Sequence, residues 1–170
     1  QEMLDADLGD NVNLIVYTGG CKQWQNSVIS NRTNQIWQVK DDGLLCLGED
    51  AGSVSMVKPD TLADFIRYGV KKFPANRMAL IFWDHGGGSV SGFGYDEKYA
   101  STGSMDLAEI DRALTDGGVK FDFVGFDACL MATIEVAGTF HGFADYLVGS
   151  EDNEPGYGWD YTAWLGAMAK

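Results

Sequence analysis

Short apolar runs alternate with amphipathic segments along most of the chain. The runs are continuous or rich in β-branched residues, which is typical of strands buried in a sheet. A helix opens at Pro59 and ends just before Pro74, with apolar residues at helical spacing between the two. Strands that alternate with helices predict an α/β fold with a parallel, doubly wound sheet. The predicted strands are residues 13–18, 35–39, 44–47, 78–83, 121–126 and 146–148, and the other predicted helices are residues 106–114, 130–140 and 161–169.

Three segments interrupt this alternation. Asp42 and Gly43 lie between two short apolar runs, and an Asp-Gly pair in that position predicts a β-hairpin. Residues 86–104 and 150–158 are rich in glycine, serine and charged residues, so we expect both to be loops.

The composition describes a globular chain with an acidic surface. Its 170 residues, 45% of them hydrophobic, indicate one domain spanning residues 1–170. No apolar run approaches the roughly 20 residues that a membrane span needs. The net charge of −13 argues against a nucleic-acid or anionic-membrane partner. It favours a basic partner or substrate, or it serves solubility alone.

The three cysteines are Cys21, Cys46 and Cys129. They are too few for a disulfide framework, and they lack the C-x-x-C spacing of zinc sites. At least one of them is therefore free, and Cys129 has the setting that most suggests chemistry.

Two reactive side chains follow two predicted strands. His85 comes just after the apolar run 78–83 and precedes three glycines, and Cys129 comes just after the run 121–126. The carboxyl ends of parallel strands share one edge of the sheet, where functional residues of such folds lie. We therefore expect His85 and Cys129 to lie close together.

Each of these residues also has a structural interpretation. Cys129 precedes a predicted helix, whose dipole would stabilise a thiolate, but buried structural cysteines are common. His85 could be an ordinary loop residue, although the glycines after it allow close approach of a substrate and expose N–H groups. Together the pair fits a thiol nucleophile with its base, and the N–H groups of Gly86 and Cys129 are candidates for an oxyanion hole. We set aside His141, which follows a predicted helix.

Two aspartates accompany the pair. Asp127 lies two residues before Cys129, where a carboxylate disfavours a thiolate, so its presence favours a specificity pocket for Arg or Lys. The alternative is a helix N-cap. Asp84 precedes His85 directly, and strand alternation predicts that it points away from the site.

Three segments together resemble the clostripain family of cysteine peptidases, which are caspase-like and mostly bacterial. They are "DHGGG", "GFDACLMATIEVA" and "SEDNEPGYGWDY", and the resemblance extends over residues 13–161. It implies a caspase-like three-layer sandwich with a mostly parallel central sheet flanked by helices. His85 precedes Cys129 at a spacing similar to that of caspases, which is about 50 residues.

The resemblance also implies roles for individual residues. His85 and Cys129 would form the catalytic dyad. Asp127 would lie at the base of the S1 pocket and direct cleavage to Arg or Lys at P1. The loop 150–159 would form a wall of this pocket, with Glu151, Asp152 and Trp159 as further substrate-binding candidates.

Family members usually begin with another strand and continue beyond this C-terminus, so we expect this chain to be a fragment. We also expect a secreted or cell-surface bacterial protein whose signal peptide is outside the chain. The resemblance is compatible with a calcium dependence, but the sequence contains no D-x-D-x-D-G loop, and no cofactor or metal site is predicted.

The polar loop 95–104 contains one basic residue, Lys98, which the Asp127 pocket should accept. We therefore hypothesise self-cleavage between Lys98 and Tyr99, leaving two associated chains. Clostripain-like enzymes mature by internal cleavage, which supports the idea. The alternative is that Lys98 is a solvated loop charge.

Parts of the sequence are also typical of three other functions. An α/β-hydrolase esterase would use "HGGG" for its oxyanion hole, but the required G-x-S-x-G is absent. A nucleotide-binding loop at "GGGSVSGFG" lacks both G-x-G-x-x-G and a Walker lysine. An inactive caspase-like binding module is the third, and the presence of both His85 and Cys129 argues against it.

Overall fold

A computed structural model describes residues 1–48 and 50–169. The chain forms two compact units, one built from residues 1–54 and 159–170 and the other from residues 55–158. The helices are α1 (Glu2–Asp5), α2 (Pro59–Lys72), α3 (Gly88–Ser91), α4 (Leu107–Gly117), α5 (Ile134–Phe140) and α6 (Tyr161–Met168). The strands are β1 (Leu14–Thr18), β2 (Gln35–Lys40), β3 (Gly43–Gly48), β4 (Ala79–Trp83), β5 (Phe121–Asp127) and β6 (Ala144–Val148). No helix in the described ranges is long and apolar enough to cross a membrane.

The first unit is an antiparallel sheet in the order β1-β2-β3, with α1 and α6 beside one another. The predicted hairpin is confirmed, since β2 and β3 pair antiparallel across the turn at Asp41 and Asp42. Leu8, Val39 and Leu165 are buried in the core of this unit.

The second unit contains the predicted parallel sheet, in the order β4-β5-β6. Helix α4 lies on the connection between β4 and β5, and α5 on that between β5 and β6, so both connections are βαβ crossovers. The predicted α/β fold with a parallel sheet is thereby confirmed. Sequence alternation alone did not reveal that the first three strands form a separate antiparallel sheet.

An aromatic cluster fills the core between this sheet and its helices. The ring of Phe82 stacks on that of Phe126 at 4.6 Å between centroids, and Phe140 of α5 meets Phe126 edge-on at 5.4 Å. The prediction that β4 is buried throughout was wrong. Successive side chains of a strand point to opposite faces, so Phe82 is buried while Trp83 is 65% exposed.

Helix α5 begins later than its apolar pattern predicted. Leu130 has a positive φ of 64°, which interrupts the helix, and the hydroxyl of Thr133 then accepts the Val136 N–H at 3.2 Å as the N-cap. Cys129 therefore does not lie at a helix N-terminus, and the expected dipole effect on it does not apply. The alternative that Asp127 caps the helix is also wrong.

Candidate active site

The strand register brings His85 and Cys129 to the same edge of the sheet. Trp83 at the end of β4 pairs with Asp127 at the end of β5, so each candidate follows its strand by the same two residues. A Cβ added to Gly86 would lie 2.1 Å from the carbonyl oxygen of Cys129. The backbone after His85 is thus in direct contact with the backbone of Cys129, and only glycine permits that approach.

The glycine-rich segment after His85 folds back on itself. The N–H of Gly94 donates to the His85 carbonyl at 2.8 Å, and the N–H of Gly87 donates to the Gly92 carbonyl at 2.9 Å. Neither bond uses the N–H of Gly86, the candidate oxyanion donor. The segment borders an open cavity of about 480 Å³, lined by His85, Gly86, Gly87, Ser91, Gly92, Gly94, Tyr95 and Ser104.

Asp84 connects the two ends of this folded segment. Its Oδ1 accepts the N–H of His85 at 2.6 Å, and its Oδ2 accepts the N–H of Tyr95 at 3.0 Å. Burial raises the pKa of Asp84, while the two N–H donors and the charge of His85 oppose the rise. Sequence reasoning missed these contacts. The available signal was an aspartate at a strand end, a residue type that often binds nearby backbone N–H groups.

The loop 150–158 lies against the segment that carries Cys129. The N–H of Leu130 donates to the Asp152 carbonyl at 3.1 Å, and the N–H of Ala132 donates to the Ser150 carbonyl at 2.9 Å. From the same loop, the N–H of Glu154 donates to Sγ of the half-buried Cys129 at 3.3 Å. This contact with the sulfur was not predicted, because it depends on the path of a loop 25 residues away.

Asp127 is buried beside this loop, with only 4% of its surface exposed. A Cβ added to Gly158 would lie 2.7 Å from Oδ2 and 2.9 Å from Oδ1 of Asp127, and Gly158 also has a positive φ of 67°. Both observations favour glycine at this position. The loop therefore packs directly on the carboxylate that sequence reasoning assigned to substrate binding.

The other three substrate-binding candidates have different surroundings. Glu151 and Asp152 are exposed, and Oδ1 of Asp152 accepts the N–H of Asn153, its own neighbour, at 2.7 Å. Trp159 belongs to the first unit, where its ring lies 6.1 Å from that of Trp164. The loop thus contributes mainly backbone groups to the region around Cys129.

The segment proposed for self-cleavage is not an open loop. Oδ1 of Asp96 accepts the N–H groups of Lys98 and Tyr99, both at 2.9 Å, and Oδ2 accepts the N–H of Met56 at 2.9 Å. Asp96 is only 1% exposed, and a single 3₁₀ turn, Ala100–Thr102, follows. The Lys98–Tyr99 bond is therefore held in a folded turn that a protease would have to open.

All three cysteines are free thiols. Among the residues that the structure describes, no three His, Cys, Asp or Glu side chains cluster closely enough to hold a metal ion.

Comparison with known proteins identifies relatives of the chain. It is 33% identical to clostripain of Hathewaya histolytica over 124 residues, covering 63% of this chain and 23% of clostripain. An inactive zymogen C11 protease of Parabacteroides distasonis is 29% identical with a TM-score of 0.74, over 99% of this chain and 46% of that one. A secreted C11 cysteine protease of Bacteroides thetaiotaomicron, bound to an irreversible peptide inhibitor, shares the fold with a TM-score of 0.75 at 24% identity, over 98% of this chain and 47% of that one.

The chain thus spans about a quarter of clostripain and about half of the two structural relatives. A model of the Clostripain family, Peptidase C11, matches residues 1–170. The histidine and the cysteine at adjacent strand ends fit that match, and the chain belongs to the clostripain family of cysteine peptidases.

Proposed function

We propose that this chain carries the catalytic centre of a cysteine endopeptidase that cleaves after Arg or Lys, with His85 and Cys129 as its dyad. The observation that carries the proposal is the shared register of β4 and β5, with Gly86 in backbone contact with Cys129. A nucleophile and its base on two adjacent strand ends are the minimum that acyl transfer through a thiol needs. Family membership supports the same chemistry.

The reaction follows from these two side chains. The thiolate of Cys129 attacks the scissile carbonyl carbon, and the carbonyl oxygen takes the negative charge of the tetrahedral intermediate. The N–H groups of Gly86 and Cys129 are the candidate donors to that oxygen. His85 gives its proton to the leaving amine as the C–N bond breaks. Water then attacks the acyl-enzyme, His85 takes one of its protons, and the thiolate leaves.

Specificity for a basic P1 residue rests on Asp127. Its carboxylate is buried two residues before the nucleophile, where an arginine or lysine side chain would find a partner in a region of low dielectric. The net charge of −13 would attract basic protein or peptide substrates over a longer range. Glu151 and Asp152 are exposed on the adjacent loop and would add to this field.

The proposal extends to maturation and location. Cleavage at Lys98–Tyr99 would separate His85 from Cys129 into two chains that stay associated, because β4 and β5 are neighbours in one sheet. The Asp96 carboxylate has to release the turn first, so this cleavage would be slow. A secreted or cell-surface location in a bacterium fits the proposal, and one structural relative is a secreted protease.

Fluorogenic peptides that differ only at P1 test the function. Arg and Lys peptides should be hydrolysed, and matched Asp, Asn and Ala peptides should not. Cys129→Ala should abolish hydrolysis, while the control variants Cys21→Ala and Cys46→Ala keep it. Absence of hydrolysis of every peptide, together with no labelling of Cys129 by an arginyl chloromethyl ketone, would support an inactive binding module instead.

A further inference from the structure

We propose that Asp84 is a positioning residue, whose carboxylate clamps the backbone on both sides of the glycine-rich segment and thereby fixes His85 for catalysis. This inference rests on the proposed function, because it assigns a purpose to His85. The dyad as proposed contains no third side chain that orients the histidine. The clamp would replace such a side chain by acting on the backbone.

The geometry shows how the clamp works. One carboxylate oxygen holds the N–H of His85 itself, at 2.6 Å, and the other holds the N–H of Tyr95, at 3.0 Å. Between these points, Gly94 bonds back to the His85 carbonyl at 2.8 Å. His85 is therefore held at its N–H by Asp84 and at its C=O by Gly94. Because both backbone groups of His85 are held, its imidazole can move only by rotation about the side-chain bonds.

The energetics indicate that the carboxylate is kept at a cost. Burial raises the pKa of Asp84, and the N–H groups of Tyr95 and His85 and the charge of His85 compensate only in part. The nearby carboxylate of Asp96 adds to the rise. Because the pKa of Asp84 is higher in the folded state than in the unfolded state, the free energy of unfolding decreases as pH rises from the usual aspartate pKa through the raised one. A charge that disfavours the fold at neutral pH suggests a requirement other than stability.

That requirement is the position of the imidazole relative to Cys129. Gly86, the next residue, is already in contact with the Cys129 carbonyl. A shift of the backbone at His85 would therefore change the path from the imidazole to the leaving amine. Displacements of about 1 Å in such groups lower rates by about 100-fold. Substrate binding through the S1 pocket would be nearly unaffected.

Asp84→Asn tests the clamp, because it removes the charge and one of the two acceptors with little change of shape. Asp111→Asn is the matched control, since Asp111 lies exposed on α4. We expect Asp84→Asn to lower kcat on an Arg peptide at least tenfold with KM within twofold. The midpoint of urea unfolding should not fall. Exchange of the Tyr95 or His85 amide hydrogen, followed by NMR, should accelerate at least tenfold.

The remaining outcomes overturn the inference. If Asp84→Asn keeps kcat within twofold of that of the unaltered protein, or if hydrogen exchange is unchanged at both amides, the clamp is contradicted. If kcat falls, KM rises and the midpoint of urea unfolding falls together in Asp84→Asn, the role of Asp84 is structural only. If the unaltered protein hydrolyses no peptide, the proposed function fails. Amide exchange then decides the clamp alone, with faster exchange in Asp84→Asn supporting it and unchanged exchange overturning it.

Discussion

The backbone N–H of Glu154 donates a hydrogen bond to Sγ of Cys129 at 3.3 Å. Four residues further on, the same loop presses Gly158 onto the carboxylate of Asp127. One loop therefore contacts both the proposed nucleophile and the proposed specificity residue. The loop therefore borders the pocket proposed for a basic P1 side chain, so loop variants should change activity as well as stability.

Gly158→Ala tests this contact. The added methyl group would lie 2.7 Å from Oδ2 of Asp127, and the residue would keep a positive φ. We expect a loss of about 1–3 kcal/mol in the free energy of unfolding, which is typical of such backbone strain. Turnover of Arg peptides should fall at least tenfold. Urea unfolding and peptide kinetics measure the two effects.

Gly156→Ala is the matched control, because no atom lies within 4 Å of the position of its added Cβ. Its unfolding equilibrium constant and its turnover rate on Arg peptides should both stay within twofold of the values for the unaltered protein. Equal behaviour of the two alanine variants would contradict the close packing of the loop on Asp127.

Gly86→Ala tests the contact between the two strand ends. Its Cβ would lie 2.1 Å from the Cys129 carbonyl oxygen, so one of the two backbones has to move. Because this movement would change both the His85–Cys129 geometry and the candidate oxyanion donor, we expect hydrolysis to fall at least 100-fold. Removing one oxyanion donor alone typically costs about that much.

The control for this variant is Gly138→Ala in α5, where the added Cβ has open space. Alanine within a helix is favoured over glycine by roughly 0.5–1 kcal/mol, so stability should rise slightly and hydrolysis should persist. Retention of full activity by Gly86→Ala would show that the strand ends are less closely coupled than described.

The sequence predicted the parts of the fold that depend on local patterns. Continuous apolar runs gave β4 and β5, and Pro59 marked the start of α2. The strand-end rule then brought His85 and Cys129 together. These inferences succeed because hydrophobic periodicity and parallel connectivity alone determine them.

Other features could not be predicted, because they depend on which distant groups meet. The apolar residues after Cys129 resemble a helix, but the positive φ of Leu130 delays α5 until Ile134. The backbone partners of Asp84 and Asp96 lie across folded loops, up to 40 residues away for Met56. No periodic pattern encodes which amide a carboxylate will bind.

Asp127→Asn tests the proposed specificity. A desolvated, charge-assisted pair with a guanidinium or ammonium group contributes about 1.5–3 kcal/mol. We therefore expect kcat/KM on Arg and Lys peptides to fall at least tenfold. Asp145→Asn is the control, because Asp145 is half-exposed and paired with Lys120 at 2.5 Å. Equal turnover of Arg and Ala peptides by the unaltered protein would refute the pocket.

Acid stability should depend on Asp122. The N–H of Met78, at 2.8 Å, and then the guanidinium of Arg77, at 3.0 Å, hold the pKa of Asp122 below its usual value of 3.8. A depressed folded-state pKa contributes stability above 3.8 that is lost as pH falls below it. We therefore expect the free energy of unfolding, measured with urea, to decrease less between about pH 6 and about pH 3 in Asp122→Asn than in the unaltered protein. An identical loss in both would contradict the contribution of these contacts.

Self-cleavage at Lys98–Tyr99 is tested by mass spectrometry of the purified protein during incubation. The bond should break slowly, because Asp96 holds the N–H groups of both residues at 2.9 Å and the turn must open first. Asp96→Asn leaves only one acceptor oxygen where Asp96 has two, so it should accelerate the break. Cys129→Ala should prevent it in either background, whereas Cys46→Ala should leave it unchanged. Cleavage that persists in Cys129→Ala would point to a contaminating protease, and an active enzyme that stays intact at this bond in Asp96→Asn would refute self-processing.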